Sequence, residues 1–183
     1  IERLKGKPLQ EIMRTQVLEP LGMARSSLVW NSEYGKNIAL GHGMLGRTTG
    51  APRKYGNADA AASLYTTAGD YAKFVIAVLN GTGLRKETAA TMLAPQIDVA
   101  RDLTWSLGFG IERTSLGDAF WQWGDYGTFR NYVAALKEPR RGIVYLTNSF
   151  NGLSIGPDMV RQALGVEEDL GLRWLDYFRY DSE

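Results

Sequence analysis

Gln122-Trp123-Gly124-Asp125 is the stretch of this sequence best suited to chemistry. It ends an apolar, strand-like run beside a glycine-bearing turn, with Phe120, Trp121, Tyr126 and Phe129 around it. A strand edge offers backbone N–H groups, glycine permits close approach, and donors of that kind stabilise the oxyanion of acyl transfer. The same residues also suit an aromatic hairpin packed into a core, and the sequence leaves both readings open. Gly152-Leu153-Ser154-Ile155-Gly156 fits G-x-S-x-G, the turn that presents a serine nucleophile in α/β-hydrolases. That turn works with a histidine that follows the serine in the chain. The one histidine, His42, precedes Ser154 by more than a hundred residues, so a glycine-rich turn into a helix starting at Pro157 is the simpler reading. Tyr55-Gly56-Asn57 and Ser149-Phe150-Asn151 have the spacing of a Y-x-N or S-x-N proton relay, though three-residue patterns recur by chance. His42 has no neighbour in sequence to pair with and reads as a strand-end residue.

Composition narrows the chemistry further. With 183 residues, 44% of them apolar, the chain can bury a real core as a single domain over 1–183. Net charge is +1 and the basic residues form no block, which argues against nucleic acid as a partner. The absence of cysteine excludes disulfides and thiolate chemistry, and one histidine excludes a multi-histidine metal site. No cofactor is expected. No apolar run approaches the roughly 20 residues that span a bilayer, so no membrane span is expected.

The elements that must position these residues follow from periodicity. Leu9, Ile12, Met13 and Val17 predict a helix ended by Pro20. Residues 31–61 read as a long loop with a short strand near 38–42. Tyr71, Phe74, Val75, Val78 and Leu79 predict the clearest helix, capped by Thr67 and closed at Asn80-Gly81. A shorter helix over 85–93 is expected to bury Ala89, Met92 and Leu93. Trp105, Leu107, Phe109 and Ile111 alternate with small or polar residues and predict one strand, with space left by Gly108 and Gly110. Further strands are expected near 119–123, 129–136 and 142–148, and a last helix over 157–164. The tail from Glu167, with Leu172, Trp174, Leu175, Tyr177 and Phe178, is too apolar for solvent. Helices, then an antiparallel meander, then a helix make an α+β layout.

Several of these pieces, in order, resemble the C-terminal half of the serine β-lactamase, penicillin-binding-protein and esterase family, in its class C-like branch. Ile1–Leu9 resembles the helix end that follows the family's Y-x-N element, and Pro20-Leu21-Gly22-Met23 its P-L-G-M turn. Ala61–Asp70 resembles the segment before its long helix, and Leu107-Gly108-Phe109-Gly110 one of its strands. Phe120–Asp125 with Phe129-Arg130 resembles the strand carrying the third catalytic triplet, and Val144–Asn148 the strand before the final helix. The resemblance covers about 1–165 and leaves the tail unassigned.

The resemblance implies an α+β fold, the C-terminal part of a β-lactamase/transpeptidase-like domain, with an antiparallel sheet packed against helices. It implies a parent that forms an acyl-enzyme through an S-x-x-K serine. No serine here has lysine three positions on, so no catalytic residue is assigned within the chain and the chain alone is expected to be inactive. The nucleophile and Y-x-N are expected on missing upstream sequence. The substrate-binding contribution falls to Gln122, Trp123, Gly124 and Asp125, with Gln122 where Lys or His usually stands. Gln can hydrogen-bond a substrate carboxylate but cannot attract it by charge, which favours an esterase or peptidase over penicillin turnover. The ligand is expected to be a small ester, amide or β-lactam. The alternatives are a non-catalytic binding paralogue and, more remotely, a hydrolase built on Ser154 and His42. The resemblance favours a periplasmic or other extracytoplasmic home. Without an upstream half, Trp105, Phe109, Trp121 and Trp123 are expected to lie exposed and to drive association with that half or with a second copy.

Overall fold

A computed structural model of the chain describes residues 1–177. The first helix, α1 (Glu2–Lys5), ends at Gly6 in the left-handed region, and α2 (Leu9–Met13) continues over Arg14–Leu18 with wider π-type turns. The expected long loop contains a 3₁₀ turn at Ser32–Lys36 and a two-strand ribbon, β1 (Gly41–His42) and β2 (Thr48–Gly50). Residues 38–40 stay outside the strand placed there from sequence.

Helix α3 (Ala68–Asn80) forms where its apolar spacing puts it. Thr67 Oγ1 accepts the Asp70 N–H at 3.2 Å, and Gly81 closes the other end at φ 66°. Asp70 is buried, which alone would raise its carboxyl. Hydrogen bonds from Lys73, the Arg25 N–H and Ser26 outweigh that and leave it below the usual range. These bonds tie the helix start to the segment that enters the loop. Thr67→Ala should therefore cost about 1 kcal/mol in urea unfolding, the usual worth of a lost N-cap.

Six antiparallel strands follow in chain order: β3 (Ile97–Ala100), β4 (Leu103–Trp105), β5 (Gly110–Thr114), β6 (Gly117–Tyr126), β7 (Phe129–Leu136) and β8 (Arg141–Leu146). One face packs Phe109, Ile111, Phe120, Val133 and Ala135 against Val75 and Val78 of α3. The other packs Trp121, Tyr132, Ala134 and Leu136 against Leu153 and the final helix, α5 (Gly156–Leu164).

Three expectations need correction. Residues 105–111 are a hairpin, not one strand. Trp105 pairs with Gly110, Ser106 N–H bonds the Phe109 carbonyl, and Gly108 turns the chain at φ 106°. Leu107 sits at the exposed tip, 57% accessible, and the Gly110 face is filled by the Trp121 ring. Helix α4 (Lys86–Leu93) only half-buries Ala89, Met92 and Leu93 and has no buried residue. Its neighbour β3, unanticipated from sequence, is exposed along its length.

The largest correction concerns the apolar face. Trp121 is fully buried, Phe109 is 8% accessible, and Trp105 and Trp123 are half-buried. The tail covers three of them. Val166, Leu170 and Leu172 are sealed against the sheet, with Leu175 and Tyr177 packed beside them. Each fully buried leucine contributes about 1.5–3 kcal/mol of hydrophobic burial. Phe178, expected in the same cover, lies outside the described residues.

Polar contacts fix the tail in register. The Tyr132 hydroxyl donates to the Leu170 carbonyl, and the N–H groups of Gly171 and Leu170 bond the Glu112 carboxylate. Burial pushes Glu112 up to about 7, with help from Asp169 and Glu168, against the pull of those N–H groups. A carboxyl raised on folding binds protons in the native state, so its contribution to stability is present below about 4.5 and is lost as pH rises towards 7. Glu112→Gln should flatten that pH dependence in urea titrations. At pH 8 it should stabilise the fold by about 1–2 kcal/mol, after discount for the solvent-exposed part of the side chain.

Candidate functional site

Strand β6 outruns its neighbour. Strand β5 begins at Gly110, opposite Trp121, so Gln122–Tyr126 pair only with β7 and leave their other edge open. The direction of the N–H groups follows from register. The Arg130 carbonyl accepts from Thr147, on the β8 side of β7, so the Asp125–Arg130 pair is not hydrogen-bonded within the ladder. Asp125 therefore turns its N–H to the open edge, while Gly124 and Gln122 bond to β7. Gly124 has nothing within 4 Å of where a side chain would begin, so the surface beside that N–H is clear. Gly124 is inside β6, which runs past the strand end expected near 123; the turn is Gly127-Thr128 alone.

The Asp125 carboxylate points to the tail face. It meets Arg130 Nε at 3.1 Å, the Gly127 N–H at 2.9 Å and the Tyr177 hydroxyl. Arg130 in turn lies 4.0 Å above the Phe150 ring. Arg130 thus neutralises the carboxylate on the tail face of the sheet, while the Asp125 N–H lies in the plane of the sheet at its open edge. Tyr177 is held protonated, burial and the Asp125 hydrogen bond pushing it up to about 12.

Gln122 is engaged internally. Its Nε2 donates to the Gly108 carbonyl at 2.8 Å and its Oε1 accepts the Trp123 N–H at 3.0 Å. The amide that the sequence offered to a substrate carboxylate instead pins the 106–109 turn to β6.

Below the edge, on the α3 side of the sheet, opens a bowl of about 690 Å³. Its walls include Tyr34, Tyr55, Tyr65 and Arg53 from the loop and Asn131 and Asn148 from the sheet end. Tyr126 stands on its rim and accepts the Tyr55 hydroxyl at 3.2 Å. That hydrogen bond raises Tyr55, which suits a donor and not the base of a relay.

The remaining sequence candidates divide. His42 and Ser149 come together: the His42 N–H bonds the Asn148 carbonyl at 2.8 Å, and the Phe150 N–H bonds the His42 carbonyl at 2.8 Å. These are backbone ties that anchor β1 to the end of β8. Ser154 donates to the Asn151 carbonyl three residues back at 2.8 Å, within a 3₁₀ turn at Gly152–Ile155, a local backbone tie with no histidine. Gly152 is required because the Thr147 side chain occupies the place a Cβ would take. Sequence reasoning missed Tyr177 and Trp174 as neighbours of the site strand; their only signal was the unexplained apolarity of the tail. Among the described residues, no group of three His, Asp or Glu side chains is placed to hold a metal ion, and no helix is long and apolar enough to cross a membrane.

An open-ended central strand in an antiparallel sheet with helices on both faces defines a penicillin-binding-protein-like α+β fold, and the comparisons agree. The β-lactamase family model matches residues 1–166, and the chain belongs to that family. It is similar, with 25% identity and a TM-score of 0.79, to the octameric penicillin-binding protein homologue from Pyrococcus abyssi. That match covers 96% of this chain and 42% of the other. No curated protein matches.

Proposed function

We propose that this chain supplies one wall of an acyl-transfer site in a serine hydrolase of the β-lactamase family. The carrying observation is the open edge of β6, with the Asp125 N–H free to meet a developing oxyanion and Gly124 clearing its approach. In this reading the S-x-x-K serine and the Y-x-N element are on sequence preceding Ile1. The serine oxygen attacks a small ester, amide or β-lactam carbonyl, and the carbonyl's bond to oxygen or nitrogen breaks as the serine proton passes to the departing alcohol or amine, which in a β-lactam stays tethered. Water then hydrolyses the acyl-enzyme, releasing the acid and restoring the serine. Within the chain, the Asp125 backbone donates to the oxyanion, and Trp123 and Gly124 shape the edge. Gln122 acts as a positioning residue through Gly108. Its neutral, internally bonded amide favours an ester or peptide over a substrate recognised by its carboxylate.

A second reading rests on that same amide. With no charge at the leading position, the fold could serve as a binding paralogue without turnover. Labelling with a fluorescent fluorophosphonate and a fluorescent penicillin separates the two. The expected result is labelling of the longer protein and none of this chain alone. A longer protein that carries S-x-x-K and stays unlabelled overturns the hydrolase reading.

A further inference from the structure

We infer that the tail beyond the family match is part of the ligand site, forming an aromatic wall that selects an aromatic or branched apolar group next to the reacting carbonyl. The inference rests on the reading of the β6 edge given above. The family model ends at residue 166, yet the chain continues across the sheet to the site strand. Where β5 falls short, the rings of Trp105 on β4 and Trp123 on β6 meet edge to face, with centroids 6.2 Å apart. Trp174 of the tail joins them at 6.3 Å from Trp105. Trp174 remains 47% accessible although its ring is packed, and Leu107 stands exposed at the turn that borders the same gap.

These side chains line up with the edge by parity. Trp123 and Asp125 project to the tail face, so a group carried one atom from a carbonyl at the Asp125 N–H would pass onto the indoles. Tyr177 adds the second tail contact: its hydroxyl holds the Asp125 carboxylate and so the peptide that bears the N–H. Aromatic stacking of this kind is worth enough to discriminate. About 0.5–1.5 kcal/mol per ring pair corresponds to a roughly 2–12-fold preference.

The test is an ¹H–¹⁵N titration of this chain with phenylacetate and with acetate, repeated on Trp174→Ala and Trp174→Phe. The expected result is that both anions shift the Asp125 amide, that phenylacetate binds about 2–12-fold more tightly, and that it also shifts the indole N–H signals of Trp105, Trp123 and Trp174. Trp174→Ala should remove the phenylacetate advantage, and Trp174→Phe should restore it. Equal affinities for the two anions, or an advantage indifferent to Trp174→Ala, would overturn the wall and leave the edge reading intact. An Asp125 amide unmoved by either anion would remove the edge reading and the wall with it. Unperturbed signals elsewhere in the variant spectra report that the fold is retained.

Discussion

On the proposed reading, Asp125→Pro in a protein that joins this chain to an S-x-x-K serine is expected to slow acylation about 10²–10³-fold, the cost of losing one oxyanion-hole donor. The effect isolates a backbone atom. Asp125 bonds to nothing in β7 through its N–H, so proline removes no ladder hydrogen bond, and edge positions of this kind accept proline. The side chain is also lost, along with its contacts to Arg130, Tyr177 and Gly127. Asp125→Asn controls for that. It keeps the N–H and most of the shape while discharging the carboxylate, and it should retain most of the activity. The measurement is kcat/KM on an activated ester such as a p-nitrophenyl ester. The fall should appear mainly in kcat, because an oxyanion is met only in the transition state. Equal rates for the Pro and Asn variants would show that the N–H is idle.

Gly171→Ala should destabilise the chain by about 2–5 kcal/mol. Two costs combine. Gly171 sits at φ 77°, where a non-glycine residue loses roughly 1–2 kcal/mol. Its Cβ would also enter the Trp121 indole, and overpacking of that kind costs about 1–3 kcal/mol. Trp121 cannot yield, since it is fully buried, stacked on Tyr132 at 6.3 Å and packed closely against Gly110 as well. The structure must answer by lifting the tail, which would also weaken the Tyr177–Asp125 contact. Gly165→Ala separates the terms. It has a similar φ of 75°, but its Cβ would meet only the movable end of Arg141, so it should show the backbone cost with little clash. Urea unfolding of both variants provides the comparison, and equal losses would refute the lock between Gly171 and Trp121.

The elements read correctly from sequence are those whose burial is periodic and local. In α3, Val75 and Val78 recur on one face between a Thr cap and a Gly stop, so every signal agrees. Strands β6, β7 and β8 carry alternating apolar residues for the same reason. The 105–111 stretch misled because alternation survives a two-residue turn. Apolar residues at odd positions continue through Leu107, and only Gly108, in the third position of Ser106–Phe109, marked the reversal. The tail was illegible beyond its apolarity. It is irregular chain, with Leu170 at φ 45° and Asp176 at φ 61°, and its partners Trp121, Tyr132 and Glu112 lie some forty to sixty residues away. At the site, residue types located the edge at Gln122–Asp125, but the internal use of the Gln122 amide depends on the turn carbonyl of Gly108, which no spacing rule supplies.

The clustering of indoles has an optical consequence. Four of the five tryptophans, Trp105, Trp121, Trp123 and Trp174, have ring centroids 5.4–6.4 Å from at least one other of the group, while Trp30 stands apart beside Tyr34 and Tyr65. Rings that close and mutually tilted couple their excited states, which splits the far-ultraviolet indole band into a circular-dichroism couplet and lets excitation hop between them. The chain thus carries a built-in spectroscopic reporter, and because one of its members comes from the tail, the couplet reads whether that segment is seated on the sheet.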